Sequence, residues 1–369
     1  MLRLRQTLLL LTALLSGISA AEAALYGFSE ANPYTYEEEI LDIRVPPEKI
    51  INYRQKMRDN VIMLSNFAKS KNRDFQILVH EGEELLDKYL WEYHLEGYNA
   101  ARRAGVNASD PTFLAKLRAF TPDHRPAVGS PGSYYIQSID GIVLNNLLCR
   151  DRALSPATKN SGLKIISIDK CDNPLKYDAA LDASAGREIL LYGFFNPDFA
   201  FNNAKTQPLV NENARNIFKL ADAGNILFLI EENNYADKDD FINDIRNSNF
   251  DVIVIRPLFH NKIPFTPEEI NSLKYKKNGT RRLIIAMMNV SEADDTEYYW
   301  KKEWKLGVPS WLKRASFVNP HAAITEYWHE DWKKIIAKYF QGIVDSGFDG
   351  AFLTGTQNYR YFEKQTPLD

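Results

Sequence analysis

Cysteine is scarce in this 369-residue chain, with only Cys149 and Cys171. Two cysteines cannot staple a small disulfide scaffold, and without a Cys-x-x-Cys pair a zinc site finds no support in the spacing. Histidine is thin too, six residues with no His-x-x-x-His pair. No G-x-S-x-G elbow and no Gly-rich phosphate loop is present. Lys and Arg number 45 against 48 Asp and Glu, a net charge of −3, so no broad basic field exists to hold nucleic acid. After the first two dozen residues no apolar run reaches the roughly 20 residues a membrane helix needs. These absences lead us to expect no metal, no cofactor and no nucleic-acid partner.

The chain opens with a targeting segment. Arg3 and Arg5 precede an apolar run from Leu8 to Leu15, which ends in small residues around Ala21-Glu22-Ala23. That is the pattern of a secretory signal peptide. Cleavage near Ala23 predicts a mature chain of residues 24–369, secreted or periplasmic, with no membrane attachment and monomeric. In an oxidising compartment Cys149 and Cys171 could pair, and two buried thiols remain equally open.

Hydrophobic residues at 45% and charged residues at 25% describe an ordinary globular protein. Eight short β-rich runs recur: Phe75–Val79, Tyr134–Ile139, Leu163–Ile168, Glu188–Tyr192, Asn225–Ile230, Asp251–Ile255, Arg282–Met288 and Gly350–Leu353. Most are nearly continuous apolar runs, as in strands buried on both faces. Helical spacing marks Pro47–Ser70, Asn211–Ala223, Asp237–Asn247, Pro267–Tyr275 and Asp331–Ser346. Thr266, with Pro267, Glu268 and Glu269 after it, is a helix start. The alternation predicts a single-domain (β/α)8 barrel, with a doubly wound open sheet as the alternative.

In such a barrel the chemistry sits where strands end. The strand ends carry Glu81 and Glu83, Asn145 and Asn146, Asp169, Tyr235, Arg256, then Glu292, Asp294 and Asp295, and finally Thr354 and Gln357. Paired carboxylates beside aromatic rings are what glycoside hydrolysis requires, although rim carboxylates usually serve as loop caps or solvated charges. Five of the six Trp crowd into residues 300–332. Such a run is either packing between a loop and the barrel or a platform for sugar rings, and Tyr298, Tyr299 and Trp300 are the platform candidates.

Four stretches, SEADDTEYYW (Ser291–Trp300), Asn319-Pro320, YWHEDW (Tyr327–Trp332) and GFDGAFL (Gly347–Leu353), resemble the endo-α-1,4-polygalactosaminidase-like family of glycoside-hydrolase TIM barrels. Tyr53–Leu86, Ser138–Ile142 and Asn225–Tyr235 are similar to further family segments. The order differs. In simpler members the NILFLI-type strand opens the barrel, whereas here Phe75–Val79 comes first and Gly350–Leu353 last. The resemblance therefore implies a circular permutation, with Asp369 near the start of the mature chain.

The resemblance also implies where acids should stand, and several are missing. Thr354 and Gln357 occupy two family Asp positions, and Asn145 and Asn146 an acidic pair. Arg256 stands where the family has Asp, and Glu297 where it has Arg. Glu292, Asp294, Asp295, Glu83, Asp140, Asp169 and Asp349 survive. The expected function is hydrolysis of a galactosamine-type polysaccharide. Glu292 would be the acid or base and Glu83 or Glu81 its partner. Asp294, Asp295, Tyr298, Tyr299, Trp300, Asn145, Asp169, Tyr235, Thr354 and Gln357 would bind substrate. The alternative is a catalytically inactive barrel that binds carbohydrate.

Overall fold

The structure, a computed structural model, describes residues 50–105, 130–195, 201 and 209–366. The signal segment and Asp369 lie outside the described residues.

Helix α1 (Tyr53–Lys71) opens the described chain. The Asn52 side chain caps it by accepting from the Gln55 amide at 2.8 Å, and Met57, Val61, Leu64 and Ala68 form its buried stripe. Strand β1 (Gln76–His80) follows, then α2 (Leu90–Arg103), α3 (Pro131–Ser138), β2 (Gly141–Asn145), α4 (Pro156–Lys159), β3 (Lys164–Lys170), α5 (Pro174–Gly186) and β4 (Leu190–Phe194). The second half runs β5 (Ile226–Leu229), α6 (Lys238–Arg246), β6 (Val252–Ile255), a hairpin of β7 (Leu258–Phe259) and β8 (Ile263–Pro264), and α7 (Pro267–Leu273). Then come β9 (Leu283–Asn289), β10 (Glu292–Asp294), β11 (Leu312–Ala315), β12 (Ala322–Thr325), α8 (Glu330–Asp345), β13 (Gly350–Thr354) and α9 (Tyr359–Lys364).

Eight parallel strands form one sheet in the order β4-β3-β2-β1-β13-β9-β6-β5. The two edges, β4 and β5, share no ladder, but the Tyr192 hydroxyl on β4 donates to the Phe228 carbonyl on β5 at 3.2 Å. The sheet is thus a nearly closed parallel barrel flanked by helices. The interior is aromatic. The Phe352 ring of β13 lies 5.4 Å from Phe228 of β5 and 5.8 Å from His80 of β1. Strands β13 and β5 are not neighbours, so these rings meet across the interior. Tyr192 adds a contact to Phe228 at 5.3 Å. A small antiparallel sheet, β10-β12-β11, stands beside the strand ends.

Aspartates pin the opposite, N-terminal ends of the strands. Asp140 accepts from the Ile77 amide and Asp349 from the Ile284 amide, at 2.8 and 3.0 Å. Asp251 accepts from the Gly224 amide and is paired with buried Lys276. These are strand-start anchors, far from the end where barrel chemistry is done.

Two expected elements are not found as read, and helices α2 and α5 stand where the spacing marks none. Tyr134–Ile139 is not a strand but falls within α3 and its cap, and the strand is Gly141–Asn145. The Ser130 side chain accepts from the Ser133 amide and Pro131 occupies the first turn. A start signal of this kind outweighs the β propensity of Tyr-Tyr-Ile. Asn211–Ala223 is extended, with only a short 3-10 turn at Leu220–Asp222. Asn211 adopts φ 54°, and Lys276 Nζ takes the Arg215 carbonyl at 3.0 Å, so long-range bonds replace helical ones. By contrast, Thr266 forms a full capping box with Glu269. Cys149 and Cys171 are joined as a disulfide, their Cα atoms 5.4 Å apart.

Candidate functional site

Strand periodicity assigns the mouth. Thr354 lies two residues beyond Phe352 and faces the same interior, and its register partner on β9 is Asn289. Arg256, just past β6, reaches back so that its Nε donates to the Ile230 carbonyl at 2.8 Å. These three residues line one pocket, which continues past Glu292 to Tyr299 and, on α8, Tyr339.

Glu292 is held firmly within it. Its Oε2 accepts from Asn289 Nδ2 at 3.1 Å, and its Oε1 from Ser316 Oγ at 3.0 Å and Asn358 Nδ2 at 3.2 Å. The backbone amide donates to Asn289 Oδ1 at 3.0 Å. Burial pushes the Glu292 carboxyl above its ordinary range, and these donors oppose the shift. The turn that makes this possible needs Gly355. At φ 77° a Cβ there would stand 2.3 Å from Asn289 Oδ1 and 2.5 Å from Ser291 Oγ, the groups that orient Glu292 and its loop.

Two further carboxyls line the same pocket. Asp294 accepts from Asn319 Nδ2 at 2.9 Å and from the Thr296 amide at 2.8 Å. Glu297 accepts from the Tyr339 hydroxyl at 3.2 Å, while its other oxygen is buried with no hydrogen-bond partner among the described residues. Burial drives Glu297 up to about 7. The Arg256 cation opposes this, and the negative charge of Asp294 adds to it. Asp294 pushes Glu292 upward as well. Beyond the pocket, Glu232 is also raised by burial to about 7, with Arg256 again opposing.

Most of the other expected site residues are engaged outside this pocket. Arg152 Nη1 contacts both Glu81 oxygens at 3.0 and 3.1 Å, and its Nη2 pairs with Glu83. The Asn145 amide and Thr158 hydroxyl also donate to Glu81 and Glu83, respectively, each at 2.6 Å. These two carboxylates tie down the loop after β2. Asn145 Oδ1 meets His80 Nε2 at 3.2 Å within the mouth. Asp169 accepts from the Leu148 and Cys149 amides and from Ser167, so it caps the segment after β2. The Tyr235 hydroxyl donates to Asp244 on α6, and Gln357 accepts from Arg360. Asp295 is exposed against His321. Of the aromatic run, Tyr299 lines the pocket and exposed Tyr298 stacks on Tyr339 at 5.7 Å. Trp300, Trp304 and Trp311 form an edge-to-face ladder, and Trp332 is core, donating to the Val290 carbonyl at 2.9 Å.

Ser316, Asn358 and Tyr339 were not singled out from the sequence. Each reaches the site from a different element, and none belongs to a spaced motif. Among the described residues no group of three His, Cys, Asp or Glu is arranged to hold a metal ion, and no helix is long and apolar enough to cross a membrane.

No protein-family model matches the chain. It is 33% identical over 183 residues to an uncharacterized protein of Methanocaldococcus jannaschii, covering 47% of this chain and 51% of that one. An uncharacterized protein of Thermotoga maritima is 30% identical over 101 residues, 27% of this chain and 30% of the other. One of Deinococcus radiodurans is 26% identical over 112 residues, 30% of this chain and 35% of the other. The chain thus spans about half or less of the length of the curated relatives it matches.

Proposed function

We propose that this chain is an exported glycoside hydrolase of the polygalactosaminidase-like type, acting on an amino-sugar polysaccharide through Glu292. The observation that carries this reading is Glu292 itself. It sits at the strand-end mouth of a parallel barrel, buried, raised toward its neutral form and fixed by three side-chain donors. Two more carboxyls and the Tyr299 and Tyr339 rings share its pocket, the combination of acids and apolar walls that glycosidic cleavage uses.

Three observations favour the permuted order. The barrel seam falls between β4 and β5, which would carry the two ends of an unpermuted chain. Among the described residues, the β4–β5 connection has no α-helix. Helix α1 and the closing helix α9 are packed together, Tyr53 against Phe362 at 5.5 Å. Closed barrels tolerate such rearrangement when the chain ends are neighbours.

The substitutions at Arg256 and Glu297 are reciprocal. Relative to the family pattern the acid and the base have exchanged places, and the two still interact electrostatically.

The test is release of reducing ends from an α-1,4-linked galactosamine polymer by residues 24–369, with Glu292→Gln in parallel. Turnover lost in the variant supports the reading. A second reading, a binding barrel without turnover, is favoured by the hydroxyl of Thr354 where an acid is expected. It predicts retention of the polymer in a pull-down with no new reducing ends.

A further inference from the structure

We propose that Glu297 is the proton donor of this site, giving its carboxyl proton to the leaving oxygen of the cleaved glycosidic bond. The inference rests on the hydrolase reading above and goes beyond it, since that reading leaves the second acid unassigned.

Contacts already occupy the other carboxylates expected to act here. Glu81 and Glu83 are both engaged by Arg152 and by loop donors. Both oxygens of Glu292 accept hydrogen bonds, which suits a carboxylate held in place. Glu297 differs. One oxygen accepts from Tyr339, and the other is buried without a donor among the described residues. A buried anionic oxygen lacking any donor is costly, whereas a protonated one keeps an O–H free to give to a ligand. Glu297 therefore stands in the pocket as an acid with its proton uncommitted.

The charged and titratable groups around it come from every neighbouring element. Arg256 approaches from the end of β6, Asp294 from β10, and Tyr339 from α8, while Tyr298 and Tyr299 flank it on its own loop. Arg256 favours the anion, and burial and Asp294 favour the acid, with burial the largest cause. A carboxyl raised to about 7 is half protonated near neutral pH, which suits a general acid.

The step balances as a hydrolysis. The bond from the anomeric carbon to the leaving oxygen breaks with its electron pair on oxygen, and that oxygen takes the Glu297 proton. A water oxygen bonds to the anomeric carbon, and its proton restores the Glu297 carboxyl.

The test has two readouts. Difference infrared spectra between wild type and Glu297→Gln should show a neutral carboxyl band at pH 6 that is replaced by carboxylate bands at pH 9. The rate on polymer should fall above about pH 7 in wild type, and by roughly 10²–10⁴-fold in Glu297→Gln. An aryl galactosaminide, whose leaving group needs no proton, should keep most of its rate in the variant and lose the alkaline limb. Tyr339→Phe removes the Tyr339 hydroxyl that donates to Glu297 and should move that limb to higher pH. Absence of the neutral carboxyl band at pH 6 would overturn the assignment whatever the activity. So would an unchanged rate and limb in Glu297→Gln. A wild-type protein that shows the band but never turns over polymer or aryl glycoside sinks the hydrolase reading, and the donor role falls with it.

Discussion

Arg54 and Glu363, 309 residues apart, meet in a two-pronged ion pair, Nε to Oε1 at 2.7 Å and Nη2 to Oε2 at 2.9 Å. Arg54 is in the first turn of α1 and Glu363 near the end of α9, so the pair clasps the first and last described helices. Tyr53 deepens the joint. Its ring stacks on Phe362, and its carbonyl accepts from the Tyr327 hydroxyl at 2.8 Å.

Breaking that clasp on one side should be expensive. Both side chains are about nine-tenths buried. Arg54→Met leaves Glu363 desolvated and unpaired, for an expected loss of about 3 kcal/mol. Adding Glu363→Leu should restore much of it. Chemical denaturation of the single and double variants checks this. Equal loss in both would mean that packing, not charge, holds the joint.

A chain opened after Asn211 and closed by a short Gly/Ser linker from residue 366 to residue 50 should fold to the same barrel. Asn211 is exposed and the β4–β5 edges share no ladder. Circular dichroism and a single cooperative melt are the measurements. An aggregated or molten product would count against the permuted origin.

Stability should fall as pH rises from about 5 to 8. Glu297 and Glu232 each stand near 7 in the fold, above the usual carboxylate value near 4.5. The folded state therefore holds more protons than the unfolded one across this window, and stability declines with pH. Full stabilisation is present below the unfolded value and is lost up to the folded value. Glu297→Gln should flatten part of the slope and gain about 1–2 kcal/mol at pH 8. Thermal melts at pH 5 and pH 8 test the sign, and a slope unchanged in the variant would refute it.

Reduction should loosen the loop that contains the Arg152 clamp. The Cys149–Cys171 bridge spans 22 residues of sequence. Closing a loop of that size is worth about 3 kcal/mol in the chain-entropy account. A lowered melting temperature with reductant, matched by Cys149→Ser with Cys171→Ser, is the expected result. Indifference to reductant would show that the loop is secured by Arg152, Glu81 and Glu83 alone.

Local chemistry made much of this protein legible. Seven of the eight expected strand runs coincide with barrel strands, because strands buried on both faces must be apolar almost throughout. The Thr266 cap and the segment after β9, which leads into β10 at Glu292, were readable for the same reason: their signals lie within a few residues of one another. Tyr134–Ile139 misled because its four β-favouring residues say nothing of the capped turn before them. Asn211–Ala223 misled because Lys276 and Asp251, which hold it extended, come much later in the chain.

Residue order alone set the alternation of strand and helix and put carboxylates at the strand ends. Which carboxylates are free was decided only in three dimensions. Glu81 and Glu83 became ballast for a loop because Arg152, about 70 residues on, folds back onto them. Glu297 became a raised acid because the fold buries it, and the Tyr339 hydroxyl, 42 residues on, offsets only part of that burial. A carboxyl's proton affinity depends on solvent exclusion and on charges within a few ångströms, and neither quantity is written in the residues beside it.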